Sequence, residues 1–518
     1  MRPKPLLPPF LRFLFSYFCF KIKYYLILTS NENYLSIHGL ALCSVTAQAQ
    51  EKPNFLIIQC DHLTQRVVGA YGQTQGCTLP IDEVASRGVI FSNAYVGCPL
   101  SQPSRAALWS GMMPHQTNVR SNSSEPINPR IPENVPTLGS LFSENGYEAV
   151  HFGKTHDMGS LRGFKHKEPV AKPFTDPEFP VNNDSFLDVG TCEDAVAYLS
   201  NPPEEPFICI ADFQNPHNIC GFVGANEGVH TDRPISGTLP ELPANFNVED
   251  WSNIPKPVQY ICCSHRRMTQ ASHWNEENYR HYIAAFQHYT KMVSKQVDSV
   301  LKALYSTPAG KNTIVIIMAD HGDGMASHRM VTKHISFYDE MTNVPFIFAG
   351  PGIKQQKKPI DQVLTQPTLD LLPTLCDLAG IPVPAEKPGI SLAPILKGEK
   401  QKKTHPYVVS EWHSEYEYVV TPGRMVRGPR YKYTHYLEGN GEELYDMKKD
   451  PGERKNLAKD PKYSKVLAEH RAMLDDYIAR TKDDYRSLKV DADPRCRNHT
   501  PGYPNHEGPG VREILKRK

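Results

Sequence analysis

The sequence predicts an α/β protein in which a doubly wound, mostly parallel sheet is followed by a smaller C-terminal α+β subdomain. The chain has 518 residues, 40% of them hydrophobic, which is enough for one large core and a second, smaller one. From Pro53 onward, short apolar runs alternate with amphipathic segments, and beyond about residue 400 this alternation stops. We therefore expect a main domain over residues 50–400, a subdomain over residues 401–485 and an irregular tail over residues 486–518.

The N-terminal segment has the pattern of an export signal. Its apolar stretch Phe10–Thr29 is interrupted by three basic residues, which argues against a stable membrane span. A second apolar run, Gly39–Val45, is followed by Ala47-Gln48-Ala49, a small-x-small cleavage signature. We therefore predict that residues 1–49 are a signal peptide and that the protein is periplasmic or secreted. An ordinary flexible N-terminus is the alternative.

The main domain shows the alternation of strands and helices that a doubly wound sheet requires. Five apolar runs are short and rich in Ile, Val and Phe, as buried strands are. The predicted strands are Phe55–Gln59, Ala149–Gly153, Phe207–Ala211, Thr313–Ala319 and Pro345–Ala349. The predicted helices are Ile81–Arg87, Thr137–Glu144, Cys192–Ser200 and Glu276–Tyr305.

The predicted subdomain has a different pattern. Strand-like runs at Tyr407–Ser410, Glu417–Val420 and Tyr431–Tyr436 predict a small antiparallel sheet. A helix predicted over Lys462–Thr481 would pack on that sheet.

Polar side chains follow four of the predicted strands in the main domain. They are Asp61 and His62, then Lys154 and His156, then His217, and finally Asp320 and His321. Parallel sheets of this kind bind ligands beyond the carboxyl ends of their strands. We therefore expect these side chains to meet at one edge of the sheet.

The overall charge and the cysteines exclude several classes of function. The 57 Lys and Arg residues nearly balance the 56 Asp and Glu residues, so nucleic acid is not an expected partner. An anionic substrate would need a local basic site. The 12 Cys residues show no CxxC spacing, so neither a zinc ribbon nor a disulfide scaffold is indicated.

Residues 98–111 contain the most specific motif of the chain. The order Ser-x-Pro-Ser-Arg at residues 101–105, followed by Ser110-Gly111, resembles the signature of the sulfatases of the alkaline phosphatase-like superfamily. The segments on either side, residues 80–95 and 113–115, are also similar to that family.

This resemblance implies that Ser101 is oxidised to formylglycine. The hydrated aldehyde would attack sulfur with one hydroxyl, and the other would later let the sulfated hemiacetal expel sulfate. The motif is expected to begin a helix, whose N-terminus favours an anion. Arg105, one turn along, would then hold the formylglycine hydroxyl and a metal ligand in place.

The resemblance also implies a divalent cation held by Asp61, Ser101, Asp320 and His321. Oxygen-rich ligands suit a hard ion, most of all calcium, with magnesium or manganese as alternatives. Many sulfatases have a second Asp after the first, where this chain has His62. For that reason His62 is left out of the predicted site.

Four further residues match the family's catalytic elements. By resemblance, Lys154 and Lys333 bind sulfate oxygens, and His156 removes a proton from the hemiacetal. His217 protonates the leaving alcohol, a role suited to a group that titrates near neutrality. The likeness extends from Pro53 to Leu457, most of the chain.

The predicted substrate is a sulfated carbohydrate. Likeness to bacterial glycosaminoglycan sulfatases favours exo-acting hydrolysis of heparin- or heparan sulfate-type oligosaccharides, with the 2-O-sulfate of a terminal uronate as the best candidate. Basic and ring-bearing residues expected to border the site are His265, Arg266, Arg267, Trp274, Trp412, His413 and Tyr416. Their rings would pack on the apolar face of a sugar, or else they belong to the protein core.

Several alternatives stay open at this stage. The sulfate could be an O- or N-sulfate of glucosamine, or the protein could hydrolyse phosphate mono- or diesters with unmodified Ser101. A carbohydrate-binding protein without turnover is a third reading, against which the complete set of catalytic residues argues. A serine at the motif's first position also implies a partner, a radical S-adenosylmethionine enzyme that matures Ser101 before folding.

Overall fold

A computed structural model gives the fold of the chain from Lys52 onward. The residues that it describes are 52–73, 76–173, 185–225, 238–247, 251–259, 266–271, 274–414, 422–437, 439 and 441–489. The predicted signal peptide, the predicted strand over residues 417–420 and nearly all of the predicted tail lie outside the described residues.

Thirteen strands occur in the described residues and form three sheets. They are β1 (Asn54–Cys60), β2 (Val89–Ile90), β3 (Glu148–Gly153), β4 (Lys165–Lys167), β5 (Lys172–Pro173), β6 (Ser185–Phe186), β7 (Phe207–Phe213), β8 (Thr313–Met318), β9 (Phe346–Ala349), β10 (Val408–Trp412), β11 (Gly423–Arg427), β12 (Tyr431–Tyr436) and β13 (Gly441–Asp446).

The α-helices vary from one turn to thirty residues. They are α1 (Leu79–Ser86), α2 (Ser101–Ser110), α3 (Pro114–Thr117), α4 (Leu138–Glu144), α5 (Leu187–Ser200), α6 (Ile219–Ala225), α7 (Lys256–Gln259), α8 (Arg266–Gln270), α9 (Glu276–Tyr305), α10 (Asp339–Thr342), α11 (Pro367–Ala379), α12 (Ala393–Leu396) and α13 (Ser464–Thr481). None of the helices in the described ranges combines the length and the apolar character needed to span a bilayer.

The main sheet has seven strands in the order β2-β9-β8-β1-β7-β3-β4. Strands β8, β1, β7, β3 and β4 are parallel, whereas β9 and β2 add an antiparallel edge. Alternate residues of β1 enter different cores: Leu56 and Ile58 pack on one face of the sheet, and Phe55 and Ile57 pack on the other. Helices cover both faces, as a parallel sheet with two buried faces requires.

Helices α9 and α2 illustrate how the sequence defines the elements on the two faces. The side chain of Asn275 caps α9 by accepting a hydrogen bond from the Asn278 backbone at 3.0 Å, and the apolar stripe of α9 packs into the same core as Leu56. On the other face, every residue of α2 is buried, and the helix packs against α11. It ends at Gly111, whose φ of 63° is the left-handed conformation common after helix C-termini.

The second sheet contains β10 to β13 in sequential antiparallel order. Helix α13 packs on it through Leu467, Leu474 and Tyr477, which share a small core with Val426 and Tyr433. The fold class predicted from the sequence is therefore confirmed. The predicted strands and helices that fall on described residues are present, with ends that differ by up to five residues.

Candidate active site

The carboxyl ends of four neighbouring strands bring the predicted site residues together. In the register of the sheet, Gln59 of β1 is paired with Asp212 of β7 and with Met318 of β8, and Gly153 of β3 is also paired with Asp212. The residues that follow these positions therefore leave the sheet at the same edge. A Cβ atom at Gly153 would collide with the Asp212 carbonyl, so the close approach of β3 and β7 requires glycine here.

Ser101 is the first residue of α2 and faces the end of β8. Its hydroxyl lies 2.9 Å from His321 Nε2. His321 Nδ1 donates to the Gly322 carbonyl at 2.9 Å, so Nε2 is the acceptor and the serine hydroxyl is the donor. One turn into the helix, Ser104 donates to the Asp320 carbonyl at 2.6 Å, which fixes α2 against β8.

The Arg105 guanidinium is held by three buried carboxylates, which we call the carboxylate clamp: Asp61, Asp212 and Asp320. Arg105 Nε donates to Asp320 at 2.8 Å, Nη1 to Asp212 at 2.6 Å, and Nη2 to Asp61 at 3.3 Å. Nη1 also donates to the Lys154 carbonyl at 3.2 Å. Burial opposes the charge of Arg105, but the three carboxylates raise its pKa above the usual value.

Asp212 is a residue of this clamp that the sequence analysis missed. It lies in β7 and is fully buried, and besides Arg105 it accepts a hydrogen bond from Gln59 Nε2 at 3.2 Å. His151 of β3 approaches the same carboxylate at 3.5 Å. The signal was present in the sequence, because Asp212 directly follows a predicted strand as Asp320 does.

Lys154 and Asp61 form an ion pair on the open side of the clamp. The Lys154 side chain is 16% exposed, whereas Asp61 is completely buried. Burial favours the neutral form of Asp61, but Lys154, His217 and Arg105 together hold its pKa well below the ordinary value. Asp61 is therefore ionised at neutral pH.

His62, which was left out of the predicted site, lies at its centre. Its ring is 4.5 Å from the ring of His321 and 4.7 Å from that of His217, and its φ is 71°. Lys333 donates to His62 Nε2 at 2.8 Å, so the two predicted sulfate-binding lysines contact adjacent residues of the site, Asp61 and His62. Burial, followed by Lys333 and His321, lowers the pKa of His62 well below its ordinary value.

The two histidines predicted to transfer protons lie within the field of both lysines. Burial is the largest cause that lowers the pKa of His156, to about 3, and Lys154, Arg105 and Lys333 add to it. The pKa of His217 is lowered well below its ordinary value by burial, then by Lys333 and Lys154. Both rings are therefore neutral at pH 7 in the free protein.

The residues predicted to hold a cation have the donors that a divalent ion needs. Ligand atoms of Asp61, His62 and His321 lie within 4.8 Å of one another. Asp61 Oδ1 is buried and has no hydrogen-bond partner among the described residues, and it points toward His321 Nε2 at 3.6 Å. With Asp320 and the Ser101 hydroxyl beside them, these residues fit a divalent cation.

The proposed sugar platform is wrong for both tryptophans. Trp274 is completely buried against Tyr279 and Tyr282, and Trp412 of β10 is 4% exposed, because both rings fill the protein core. His265 and Tyr416 lie outside the described residues, as does the side chain of Arg266. Arg267 Nη1 donates to Gln270 at 2.9 Å, and His413 is half-buried.

Comparisons with known proteins give matches over most of the chain. A sulfatase family model matches residues 53–381, and a model of the C-terminal part of N-sulphoglucosamine sulphohydrolase matches residues 326–480. The chain is 93% identical over 480 residues to a Delta 4,5-hexuronate-2-O-sulfatase of Bacteroides thetaiotaomicron, covering 93% of this chain and 100% of that protein.

Two solved structures have a similar fold, one at high and one at low sequence identity. A 2-O GAG sulfatase is 93% identical with a TM-score of 0.85, over 90% of this chain and 100% of that one. A phosphonate monoester hydrolase of Agrobacterium radiobacter is 20% identical with a TM-score of 0.65, over 84% of this chain and 97% of that one. The second likeness concerns the fold alone.

Proposed function

Because the chain belongs to the sulfatase family and is a sulfuric ester hydrolase, we propose that it removes the 2-O-sulfate from the terminal unsaturated uronate of glycosaminoglycan oligosaccharides. The observation that carries this proposal is the 93% identity to a Delta 4,5-hexuronate-2-O-sulfatase over the whole of that protein.

The site would hold a divalent cation and a modified Ser101. Asp61, Asp320, His321 and the modified side chain of Ser101 would be the ligands, and calcium suits the oxygen-rich set best. When bound, the cation supplies positive charge that acidifies a hydroxyl and offsets the charge of sulfate. Formylglycine at position 101 supplies a hydrated aldehyde as nucleophile.

Lys154 and Lys333 are the residues that would receive the sulfate group. Their ammonium groups lie within the site, one against Asp61 and the other against His62. The helix α2 begins at Ser101, so its dipole adds to the attraction for an anion. These donors are positioned before the substrate arrives, which is the arrangement that best stabilises developing charge.

Sulfate binding also prepares the two histidines for proton transfer. In the free protein burial is the largest cause that lowers the pKa values of His156 and His217, and the positive charges of Lys154 and Lys333 lower them further. A bound sulfate pairs with these lysines and removes part of that field, which moves both pKa values toward the neutral range. His217 would then protonate the leaving sugar oxygen, and His156 would accept the proton of the hydroxyl that releases sulfate.

The proposal includes export and maturation. A periplasmic or extracellular location would follow from the signal-like residues 1–49. The serine at position 101 calls for a radical S-adenosylmethionine enzyme that oxidises it before folding. Protein produced without such an enzyme would retain the serine and release no sulfate.

A panel of defined unsaturated disaccharides tests the substrate. The panel contains one disaccharide with only a uronate 2-O-sulfate, and others with only a glucosamine 6-O-, 3-O- or N-sulfate. We expect matured enzyme to release sulfate from the first alone. Turnover of a glucosamine sulfate without the 2-O-sulfate would refute the specificity but not the reaction class.

The phosphate ester alternative needs a separate experiment, because a phosphonate monoester hydrolase has a similar fold. Mass spectrometry of the peptide that contains Ser101 distinguishes the two nucleophiles, since formylglycine has two hydrogens fewer than serine. Phosphate monoester hydrolysis by protein with unmodified Ser101, without sulfate release after maturation, would overturn the proposal.

A further inference from the structure

A buried carboxylate of α5 holds the loop that carries His217. The helix α5 begins at Leu187, five residues before its predicted start, and this additional turn contains Asp188. Asp188 is 1% exposed. Its Oδ1 accepts the Gln214 N–H at 2.5 Å, and its Oδ2 accepts the Asn215 N–H at 2.8 Å. One carboxylate therefore fixes two successive peptide groups of a loop that is distant in sequence.

The loop is bound by Asp188 at the point where it leaves the main sheet. As far as Phe213 the end of β7 is tied to its neighbours, because the Lys154 N–H donates to the Asp212 carbonyl and the Asp61 N–H donates to the Phe213 carbonyl, each at 3.0 Å. The pairing of β7 with β1 ends at Phe213. The two residues that follow are those that Asp188 binds.

A tight turn connects these two residues to His217. The His217 N–H donates to the Gln214 carbonyl at 2.9 Å, so the turn begins at a residue that Asp188 holds. Gln214 Nε2 also donates to Asn218 Oδ1 at 2.8 Å across the same turn. The His217 ring lies 4.7 Å from the His62 ring, within the site. A rotation of the Gln214 peptide group would therefore displace the His217 ring.

The negative charge of Asp188 strengthens this attachment. Burial raises the pKa of Asp188 to about 6, against the hydrogen bonds from Gln214 and Asn215, which lower it. The carboxylate is therefore mainly ionised at neutral pH. Hydrogen bonds from N–H groups to an ionised acceptor are shorter and stronger than those to a neutral one, and the N-terminus of α5 also favours a negative charge. The carboxylate therefore holds the loop more firmly than a neutral side chain of the same shape would.

We propose that Asp188 is a positioning residue for the reaction, which holds His217 where this histidine can protonate the leaving sugar oxygen. This inference rests on the proposed function, in which His217 has that role. Sulfate binding does not depend on Asp188, because the two lysines predicted to bind sulfate have partners of their own. Loss of the carboxylate should therefore lower kcat and leave KM nearly unchanged.

Asp188→Asn tests the kinetic consequence. The asparagine side chain has nearly the same shape, but its amide nitrogen cannot accept the second N–H. We expect kcat for sulfate release to fall about 10- to 100-fold. In a His217→Ala background the same change should have little further effect, because Asp188 acts through His217. A structural defect would lower kcat by the same factor in both backgrounds, and that result, or a wild-type kcat in Asp188→Asn, would overturn the proposal.

Asp370→Asn is the matched control. Asp370 is also completely buried, and its carboxylate accepts the N–H groups of Gln366 and Ile390, each at 2.8 Å. Neither partner belongs to the site, so this variant should lose stability but keep its kcat. An equal fall of kcat in the two variants would mean that the loss of any such carboxylate slows the enzyme, and it would refute the role of Asp188.

Hydrogen exchange tests the attachment of the loop without using activity. Amide exchange resolved to single residues should be at least about 10-fold faster at Gln214 and Asn215 in Asp188→Asn than in the wild type, and unchanged there in Asp370→Asn. Unchanged exchange at both residues in Asp188→Asn would overturn the proposal. If the wild type released no sulfate from any disaccharide of the panel, the proposed function would fail, and the exchange rates would still decide whether Asp188 holds the loop.

Discussion

Arg105→Lys should abolish most activity because it keeps the positive charge but dismantles the carboxylate clamp. The guanidinium makes four hydrogen bonds, three of them to Asp61, Asp212 and Asp320. A lysine ammonium is a point donor that cannot serve three carboxylates at once. Two lost charge-assisted hydrogen bonds, at about 1.5–3 kcal/mol each, predict a free energy of unfolding lower by about 3–6 kcal/mol.

The loss of activity has a separate cause. Without the clamp, Asp61 and Asp320 are no longer fixed relative to Ser101, and small displacements of catalytic groups cost about 100-fold in rate. We expect kcat for sulfate release to fall by at least that factor. Urea unfolding monitored by circular dichroism gives the stability, and initial rates below saturation and at saturation give kcat and KM.

Arg424→Lys is the matched control for this experiment. Arg424 is also buried and makes four hydrogen bonds: two to the Asp483 carboxylate, at 2.7 and 2.9 Å, and two to the carbonyls of Trp412 and Gly423. Its replacement should cost similar stability while leaving kcat nearly unchanged, because none of its four hydrogen bonds goes to a residue of the clamp or to a residue that holds the ends of α2. Equal kcat in the two variants would refute the idea that the clamp positions the catalytic carboxylates.

Four further outcomes test other parts of the structure. Ser101→Ala should eliminate sulfate release without changing the circular dichroism spectrum, since the nucleophile is lost and alanine suits the first turn of α2; sulfate release by this variant would contradict the assigned role. Asp212→Asn should lower kcat about 10- to 100-fold, measured from initial rates, because Arg105 loses one of three carboxylates. Chelation with EDTA should suppress sulfate release and calcium should restore it, whereas full activity after exhaustive chelation would argue against the cation. Burial lowers the pKa of His328 to about 4; Glu340 opposes this shift and Arg66 adds to it. Below about pH 6.5 the unfolded chain therefore binds a proton that the folded chain does not bind. His328 should therefore contribute up to about 3 kcal/mol to the fall in the free energy of unfolding between about pH 6.5 and pH 4, and His328→Gln should reduce that fall by the same amount in urea titrations.

The sheet and the residues at its edge were predictable because their signals are local. Apolar runs such as Phe55–Gln59 indicate buried strands. In a parallel sheet the polar residue after each run lies at the carboxyl edge. That rule brought Asp61, Lys154 and Asp320 to one edge. Applied without exception, it would also have found Asp212, which follows the run that begins at Phe207.

Other features depend on contacts that no local pattern records. His62 occupies a position where a carboxylate was expected, and only the packing of His217, His321 and Lys333 around it shows that it belongs to the site. Trp274 is the opposite case, because tertiary packing removes it from the site. Its ring was a candidate for sugar binding, but tertiary packing against the helix α9 buries it completely.

The second sheet supplies no predicted catalytic residue, yet it holds both ends of the segment that carries Ser101. Before α2, the Glu411 N–H of β10 donates to the Gly97 carbonyl at 2.7 Å, and the Ser410 hydroxyl donates to the Val96 carbonyl. After α2, the Glu411 carboxylate accepts hydrogen bonds from the His115 ring at 2.6 Å and from the His115 backbone at 3.0 Å. Because β10 is hydrogen-bonded to the segments before and after α2, the helix cannot move along its axis without breaking these bonds. The position of Ser101 at the sheet edge is therefore determined by residues more than 300 positions away as well as by its own motif.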